Sequence, residues 1–402
     1  MDKNFTRYNI ISLTDIGVST FAQLVELVEN NHDLYHIKLH LSDEELSKVY
    51  LLENEENLSV GKMIIIARFY GYILPENERD YDKAFYWFKK AAEHNNMIAQ
   101  FGLGLCYLYG NGVEENAEKA VYYFSLSAKQ GYPFAQGILG LLYQVGFGVS
   151  KDINKAIDLY QQASKGGDTA ATYEFAMMYY YGNGLPQDYS KAVQILKPIA
   201  EKGYADAQST LAYCYSKGLG VIKDMKKAFY WYEKAAEQGN MNAYYNLGVS
   251  YLNGEGVEKN TQKAKQYLKK AAELGDHTAQ AILGIIYLKD EKNYQLALKW
   301  FKKSIETEPW GMYYLAEMYD QGLGVNKDYK EAYKLYTKVA NLPNTIIAGI
   351  NYSDIIENSQ IKLKIYGSNR CNRCGSIYKL VEKKGLFKKY RQCINCGEKY
   401  KL

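Results

Sequence analysis

One stretch of the sequence, GLGVIKDMKKAFYWYEKAAEQG over residues 218–239, returns in similar form elsewhere in the chain. Residues 110–131 read GNGVEENAEKAVYYFSLSAKQG, and residues 254–275 read GEGVEKNTQKAKQYLKKAAELG. The three strings share glycine, alanine and lysine positions, but no histidine, cysteine or serine stands at a fixed place. A string that recurs without a nucleophile or a metal ligand indicates a structural repeat, not an active site.

The repeat keeps a strict period over most of the chain. An alanine that follows a lysine recurs every 36 residues, and an aspartate or asparagine stands four residues before it. A seventh unit is three residues shorter, and an eighth recovers the pattern. The alanines are Ala84, Ala120, Ala156, Ala192, Ala228, Ala264, Ala297 and Ala332. A period of this length predicts an array of short helical units.

Within one unit the residue types predict two helices. Leu211, Ala212 and Tyr215 form an apolar stripe at helical spacing, and the glycines at 218 and 220 end that helix. Asp224 is a good N-cap for a second helix, which carries Ala228 and ends before the glycine at 239. One such pair cannot bury its own apolar face, so each pair has to stack on the next. The sequence therefore predicts an all-α fold, an α/α solenoid or superhelix.

These motifs resemble the Sel1-like repeat, a relative of the tetratricopeptide repeat with a slightly longer unit. The matching pattern is Ala-xxx-Leu-Gly/Ala-xx-Tyr, then Gly-x-Gly-Val, then Asp-xxx-Ala with a closing Ala-Ala-Glu-x-Gly, and it covers roughly residues 60 to 341. The first and seventh units depart from it, with PENERD and LKDEKN in place of the glycine loop; either is a candidate insertion point for a partner. The resemblance implies about eight repeats and a scaffold or adaptor that binds proteins.

Positions that differ between units are the candidates for binding. Off-pattern aromatic residues predict a protein-binding groove, because tyrosine is favoured at recognition surfaces. The residues proposed for this groove are Phe101, Tyr173, Tyr181, Tyr245 and Tyr313, and Tyr109 and Tyr244 are also off-pattern. The alternative, that these rings only pack between units, is equally compatible with the sequence.

Four cysteines near the C-terminus form two C-x-x-C knuckles, Cys371/Cys374 and Cys393/Cys396, each followed by glycine. Four thiolates at this spacing are typical of a tetrahedral structural Zn²⁺ site, and the segment resembles a zinc ribbon with a β-hairpin between the knuckles. A redox dithiol and an iron site are the alternatives. A catalytic zinc is disfavoured, because four cysteine ligands leave no open coordination position.

The predicted hairpin is strongly basic. Residues 361–402 hold 12 Lys and Arg against two Glu, a net charge of about +10. Lysines with interleaved aromatic rings suit contact with nucleic acid or with an acidic partner; a solvated basic hairpin is the plainer alternative. The residues concerned are Lys383, Lys384, Phe387, Lys388, Lys389, Tyr390 and Arg391.

Residues 1–58 do not follow the repeat and carry a net charge of about −7. Alternation over residues 36–41 predicts a strand, and a capping box at Ser42 and Glu45 predicts a helix that leads into the array. His32, His36 and His40 would align as metal ligands on a helix, but the alternation argues against a helix there. The acidic excess suits a basic partner or the protein's own ribbon.

The sequence contains no recognisable enzymatic motif or targeting signal. Neither G-x-x-x-x-G-K-[ST] nor H-E-x-x-H occurs, and no apolar run has the length of a membrane span. We therefore expect a non-enzymatic, cytoplasmic adaptor that binds proteins through its repeats and uses zinc in its ribbon; the alternative is a nucleic-acid-binding protein that works through the ribbon. The expected parts are residues 1–58, the repeats 59–341, a linker or capping helix 342–366, and the ribbon 367–402.

Overall fold

The computed structural model describes the array of repeats in full. Side chains are described for residues 47–342 and 352–365. The backbone alone is described for residues 43–46 and 366–368 and for five strands, β1 (Asn9–Ser12), β2 (Ile37–His40), β3 (Tyr378–Glu382), β4 (Lys389–Cys393) and β5 (Lys399–Lys401).

Eighteen α-helices are found in the described part of the chain, and sixteen of them form eight pairs. The first helices of the pairs, the A-helices, are α2 (Val60–Arg68), α4 (Met97–Tyr109), α6 (Pro133–Val145), α8 (Thr169–Tyr181), α10 (Ala205–Lys217), α12 (Met241–Asn253), α14 (His277–Lys289) and α16 (Pro309–Gln321). The second helices, the B-helices, are α3 (Tyr81–Glu93), α5 (Ala117–Lys129), α7 (Ile153–Lys165), α9 (Tyr189–Glu201), α11 (Met225–Glu237), α13 (Thr261–Glu273), α15 (Tyr294–Ser304) and α17 (Tyr329–Ala340). Helix α1 (Asp43–Leu52) precedes the pairs and α18 (Ser353–Ser368) follows them. The predicted helical repeat solenoid is confirmed.

The periodic residues have the roles that their chemistry predicts. Each B-helix begins after an aspartate or asparagine whose side chain accepts a backbone hydrogen bond; Asp152, for example, accepts from the backbone N of Lys155 at 3.0 Å. The periodic alanines are at most 1% exposed. Gly110 and its counterparts end the A-helices in the left-handed conformation, which glycine adopts without strain.

The second glycine of each loop does more than end a helix. At Gly256, φ is +76°, and a Cβ atom there would lie 2.2 Å from the carbonyl oxygen of Met225, the first residue of the preceding B-helix. Gly112, Gly148, Gly184, Gly220 and Gly324 lie in the same way against the start of the preceding B-helix. The sequence predicts these glycines only as helix stops, whereas the structure makes them the point of contact between successive repeats.

Within each pair, a small residue of the A-helix receives a large residue of the B-helix. A Cβ atom on Gly104 would lie 2.7 Å from the ring of Phe124, and one on Gly284 would lie 2.4 Å from the ring of Phe301. Both rings are fully buried. The glycine of the Leu-Gly step therefore allows the two helices to pack closely, because it leaves room for a large side chain of the B-helix.

The lysine of the Lys-Ala step lies over a tyrosine ring of the A-helix in the same pair. The distances from Nζ to the ring centroid are 5.2 Å for Lys119 and Tyr107 and 4.7 Å for Lys155 and Tyr143. The same contact occurs between Lys191 and Tyr179, Lys227 and Tyr215, and Lys263 and Tyr251. Part of the high tyrosine content, 41 residues, is therefore used inside the repeat.

The chain divides into two compact units, residues 1–207 with 219–221 and residues 208–218 with 222–402. The first unit has a continuous core that includes Phe88, Phe101 and Phe124. In the second unit, the core around Phe301 and Tyr336 continues into Ile355 of α18, so α18 packs on the last repeat.

Two small sheets are described outside the repeats. Strands β1 and β2 pair in parallel, and β2 confirms the strand expected from the alternating residues 36–41. Strands β3, β4 and β5 form an antiparallel sheet in that order.

Replacing Gly256 by alanine should destabilise the array far more than replacing Gly275. Both glycines have positive φ, but a Cβ at Gly275 meets nothing within 4 Å, whereas one at Gly256 meets the Met225 backbone. We expect a loss of about 1–2 kcal/mol for Gly275→Ala, from the left-handed backbone alone. Overpacking adds roughly 1–3 kcal/mol for Gly256→Ala. Urea denaturation followed by circular dichroism measures both, and equal midpoints would contradict the contact.

Candidate functional site

The candidate functional sites in the described part of this protein are surface regions, not a metal-binding cluster of side chains. No three side chains of His, Cys, Asp or Glu come together to hold a metal ion within the described residues. Over the same residues, no helix is long and apolar enough to cross a membrane. The candidate sites are therefore surfaces where the repeats differ from one another.

Two of the aromatic residues proposed for the groove are buried. Phe101 is 2% exposed, and its ring centroid lies 5.6 Å from that of Phe124 and 5.1 Å from that of Tyr132. Tyr313 is 7% exposed, lies 5.8 Å from Tyr336, and donates a hydrogen bond of 3.3 Å to Glu317. Neither ring lines a surface in this structure, because each fills the space between helices; for these two residues the packing alternative describes the structure.

Tyr173 and Tyr245 are half-buried on the A-helices. The Tyr173 ring lies 5.6 Å from that of Tyr204. Burial, and then the carboxylates of Asp276 and Glu308, raise the pKa of Tyr245 to about 12. Tyr245 is therefore a neutral phenol at physiological pH, able to bind a partner but not to act as a base.

Tyr181 is the most exposed of the proposed residues, at 69%. It is the last residue of α8, and its ring centroid lies 4.9 Å from that of Tyr180. The last residues of the two preceding A-helices are also apolar: Val145 is 51% exposed, and Tyr109 is half-buried. We call Tyr109, Val145 and Tyr181 the apolar row.

The apolar row belongs to the first unit alone. In the second unit the same helix position is polar, and its residues are Lys217, Asn253, Lys289 and Gln321. Tyr109 and Tyr181 stand out in the sequence as off-pattern residues, whereas Val145 does not. Alignment of the last residue before each helix-ending glycine finds all three.

The irregular loop of the seventh repeat contacts the B-helix of the sixth repeat. It lacks the two glycines, and Lys292 takes the left-handed conformation at φ +52° instead. Glu291 in this loop forms an ion pair with Lys265 of the preceding B-helix α13. In the first repeat, the A-helix α2 is followed by a π-helical turn, Phe69–Ile73, and a 3₁₀ turn, Glu76–Glu78.

The proposed sites at the two ends of the chain lie largely outside the described residues. Cys371, Cys374 and Cys396 fall outside them, as do Lys383, Lys384, Phe387 and Lys388. For Cys393, Lys389, Tyr390 and Arg391 only the backbone of β4 is described. The zinc site and the basic hairpin therefore stay predictions.

Of the three N-terminal histidines, only His40 lies within the described residues. It ends strand β2, so residues 37–40 are a strand and not a helix. His32 and His36 lie outside the described residues.

A family model for the Sel1 repeat matches eight segments of the chain, residues 67–96, 98–132, 133–168, 169–204, 205–240, 242–276, 277–306 and 311–344. The chain belongs to the Sel1 repeat family. The eight matches correspond to the eight helix pairs, and the resemblance inferred from the loop and alanine motifs is confirmed. Sel1 repeat solenoids are generally scaffolds for protein interactions.

Two solved structures show the same architecture. A protective antigen of uropathogenic Escherichia coli strains, which displays an SLR fold, is 30% identical, with 81% of this chain and 68% of that chain covered at a TM-score of 0.63. A Sel1 repeat protein from Oxalobacter formigenes is 28% identical, with 75% of this chain and 87% of that chain covered at a TM-score of 0.54.

Two cysteines of the Sel1 repeats should not react with thiol reagents in the native protein. Burial raises the pKa of the Cys106 thiol to about 12 and that of the Cys214 thiol to about 11. Both stay protonated at pH 8, and both are fully enclosed. We expect Cys106→Ala/Cys214→Ala to leave the number of thiols that react with Ellman's reagent in the native protein unchanged. A lower native count for the variant would show that a buried thiol is accessible.

Proposed function

We propose that this protein is a scaffold that binds partner proteins through its Sel1 repeats and performs no chemistry of its own. Family membership supports this class of function. The apolar row is the single observation that carries the proposal, because two of its three residues, Val145 and Tyr181, are more than half exposed and because it is confined to successive repeats of one unit.

Exposure of apolar side chains costs free energy in water unless a partner covers them. Exposed apolar patches on soluble proteins mark interaction sites, and tyrosine is enriched among the residues that dominate binding energy. Val145 and Tyr181 are both more than half exposed, and neither is needed for the core, since the equivalent positions elsewhere are polar. The apolar row is therefore the surface at which we expect a partner protein to bind.

Removing the apolar row should release the partner without unfolding the scaffold. In Val145→Ser/Tyr181→Ser the exposed apolar area is lost; the matched control, Tyr86→Ser/Tyr122→Ser, removes tyrosines 49% and 58% exposed on B-helices of the same unit. We expect a roughly tenfold loss of partner recovery for the first variant, equivalent to about 1.4 kcal/mol, and recovery near the original level for the control.

The measurement is cross-linking of the tagged full chain in the cells that produce it, with quantification of the captured proteins by mass spectrometry. Equal recovery by both double variants, or no protein captured above a tag-only control, would refute binding through the apolar row.

We propose the C-terminal segment as a second interaction module held together by zinc. The two C-x-x-C knuckles support the metal, and the high positive charge of residues 361–402 supports an acidic partner or nucleic acid as its target. Cys371, Cys374, Cys393 and Cys396 would supply the four thiolates, and bound zinc would serve to stabilise the fold of the segment.

Removal of zinc should make four thiols reactive towards Ellman's reagent that do not react in the zinc-bound protein. We expect about one zinc per chain in protein purified without chelators, and four Ellman-reactive thiols after chelation, since Cys106 and Cys214 are buried. Cys371→Ser/Cys396→Ser should lose the metal while the helical signal of the repeats is kept. Absence of zinc from the native protein, or full zinc retention by this variant, would sink the proposal.

A further inference from the structure

The charges of the second unit are sorted between its two sets of helices. Its B-helices α11, α13, α15 and α17 carry 13 lysines and four glutamates. Its A-helices, α12, α14, α16 and the part of α10 that belongs to the unit, carry two lysines, one glutamate and one aspartate. The chain as a whole has a net charge of only +4, so the excess of about +9 on four helices is local.

Lysines stand at one equivalent position in all four of these B-helices, six residues after the periodic alanine. They are Lys234, Lys270, Lys303 and Lys338, which we call the lysine row. Equivalent positions of stacked repeats lie side by side, so the lysine row crosses the unit from helix to helix.

Among the residues whose side chains are described, five of these 13 lysines form salt bridges and eight do not; the five are Lys227, Lys234, Lys265, Lys269 and Lys334. Lys234 pairs with Glu237 at 3.1 Å, and Lys269 pairs with Glu273 at 3.8 Å. Lys270 and Lys303 are exposed, and neither forms a salt bridge among the described residues. Their ammonium groups contact aromatic rings instead, Lys270 at 5.1 Å from Tyr244 and Lys303 at 5.2 Å from Trp300.

An open cleft of about 540 Å³ is lined by residues of α11, α12 and α13. Lys263, Lys269 and Lys270 line it together with Tyr251, Tyr267 and two glutamates. The three lysines outnumber the two glutamates, so the cleft carries a local excess of positive charge that favours an anionic ligand.

Two aromatic rings of the cleft are not open for base stacking. Tyr251 and Tyr267 stack on each other at 5.7 Å, and Lys263 and Lys270 lie over their faces. The B-helices of this unit also hold no arginine, the residue best suited to phosphate recognition. The cleft therefore favours carboxylates paired with lysines over a nucleic acid, whose binding is strengthened by stacking platforms and arginine contacts.

We propose that the lysine row and the cleft beside it bind an acidic polypeptide segment of a partner protein. Carboxylates spaced along the segment pair with Lys270, Lys303 and their neighbours, and the glutamates of the cleft set its register by repelling misplaced acidic groups. The inference rests on the scaffold role proposed above, and it names a second surface and the chemistry of what binds there.

The test uses the full chain and a fluorescein-labelled polyglutamate peptide of about 20 residues, with binding measured by fluorescence anisotropy from about 50 to 300 mM salt. We expect affinity to fall steeply as salt rises. Lys270→Glu/Lys303→Glu should weaken binding by roughly tenfold or more at the lowest salt, and Lys270→Arg/Lys303→Arg should retain it.

The matched control is Lys129→Glu/Lys165→Glu. These lysines are exposed, also lie in the last turns of B-helices, and give the same change of net charge, but they belong to the first unit. We expect the control to weaken binding by less than about threefold.

Three outcomes would overturn the inference: no binding of the peptide at low salt, equal losses for the test and control variants, or tighter binding of a labelled U20 oligonucleotide that depends on Lys270 and Lys303. Variants with unchanged denaturation midpoints exclude unfolding as the cause. The scaffold proposal fails separately, because its readout depends on Val145 and Tyr181 in the first unit.

Discussion

Successive repeats are joined through a loop whose second glycine lies against the backbone of the preceding B-helix. A Cβ atom at Gly148 would lie 2.5 Å from the carbonyl oxygen of Ala117, so no other residue allows this approach without a shift of the loop. Because the periodic alanines are buried at the same time, each repeat has one way to stack on its neighbour. The seventh repeat, which lacks the glycines, uses the Lys265–Glu291 ion pair at its loop instead.

This constraint divides the residues of each repeat into two groups. Glycine, alanine and one large side chain per B-helix hold the repeats together, and their substitution costs packing energy. Exposed positions at the ends of A-helices and on B-helices are less constrained by the stacking, so they differ from repeat to repeat. Tyr181 at the end of α8 and Lys289 at the end of α14 are equivalent in the repeat and opposite in chemistry.

The repeat architecture can be predicted from the sequence because its determinants are local and periodic. Aspartate before each B-helix, glycine after each A-helix and alanine at every crossing all act within one or two turns of the chain. Whether an aromatic side chain is buried or exposed depends on contacts that are distant in the sequence. Phe101 and Tyr181 are both off-pattern positions in the sequence, but Phe101 packs against Phe124 and Tyr132 and is buried.

Sorting of charge between helices was equally hidden, although every lysine is visible in the sequence. Only the helix boundaries show that, within the paired helices of the second unit, 13 of 15 lysines lie on B-helices, so a net charge of +4 conceals a strongly basic layer. The two tyrosines and one valine of the apolar row become a set for the same reason, once their place at the ends of A-helices is known.

Helix electrostatics accounts for one lysine on each B-helix of the second unit but not for the whole excess. A cation in the last turn of a helix gains roughly 0.3–1 kcal/mol from the helix dipole, and the residues of the lysine row all occupy that turn. Lysines of the Lys-Ala step, at the start of the B-helix, oppose the dipole and are held by tyrosine rings, so their role is structural. These two sets leave lysines unexplained, since α15 carries three lysines and no acidic residue. The remaining excess of positive charge on these helices has no sufficient reason in helix stability, and an anionic partner supplies one.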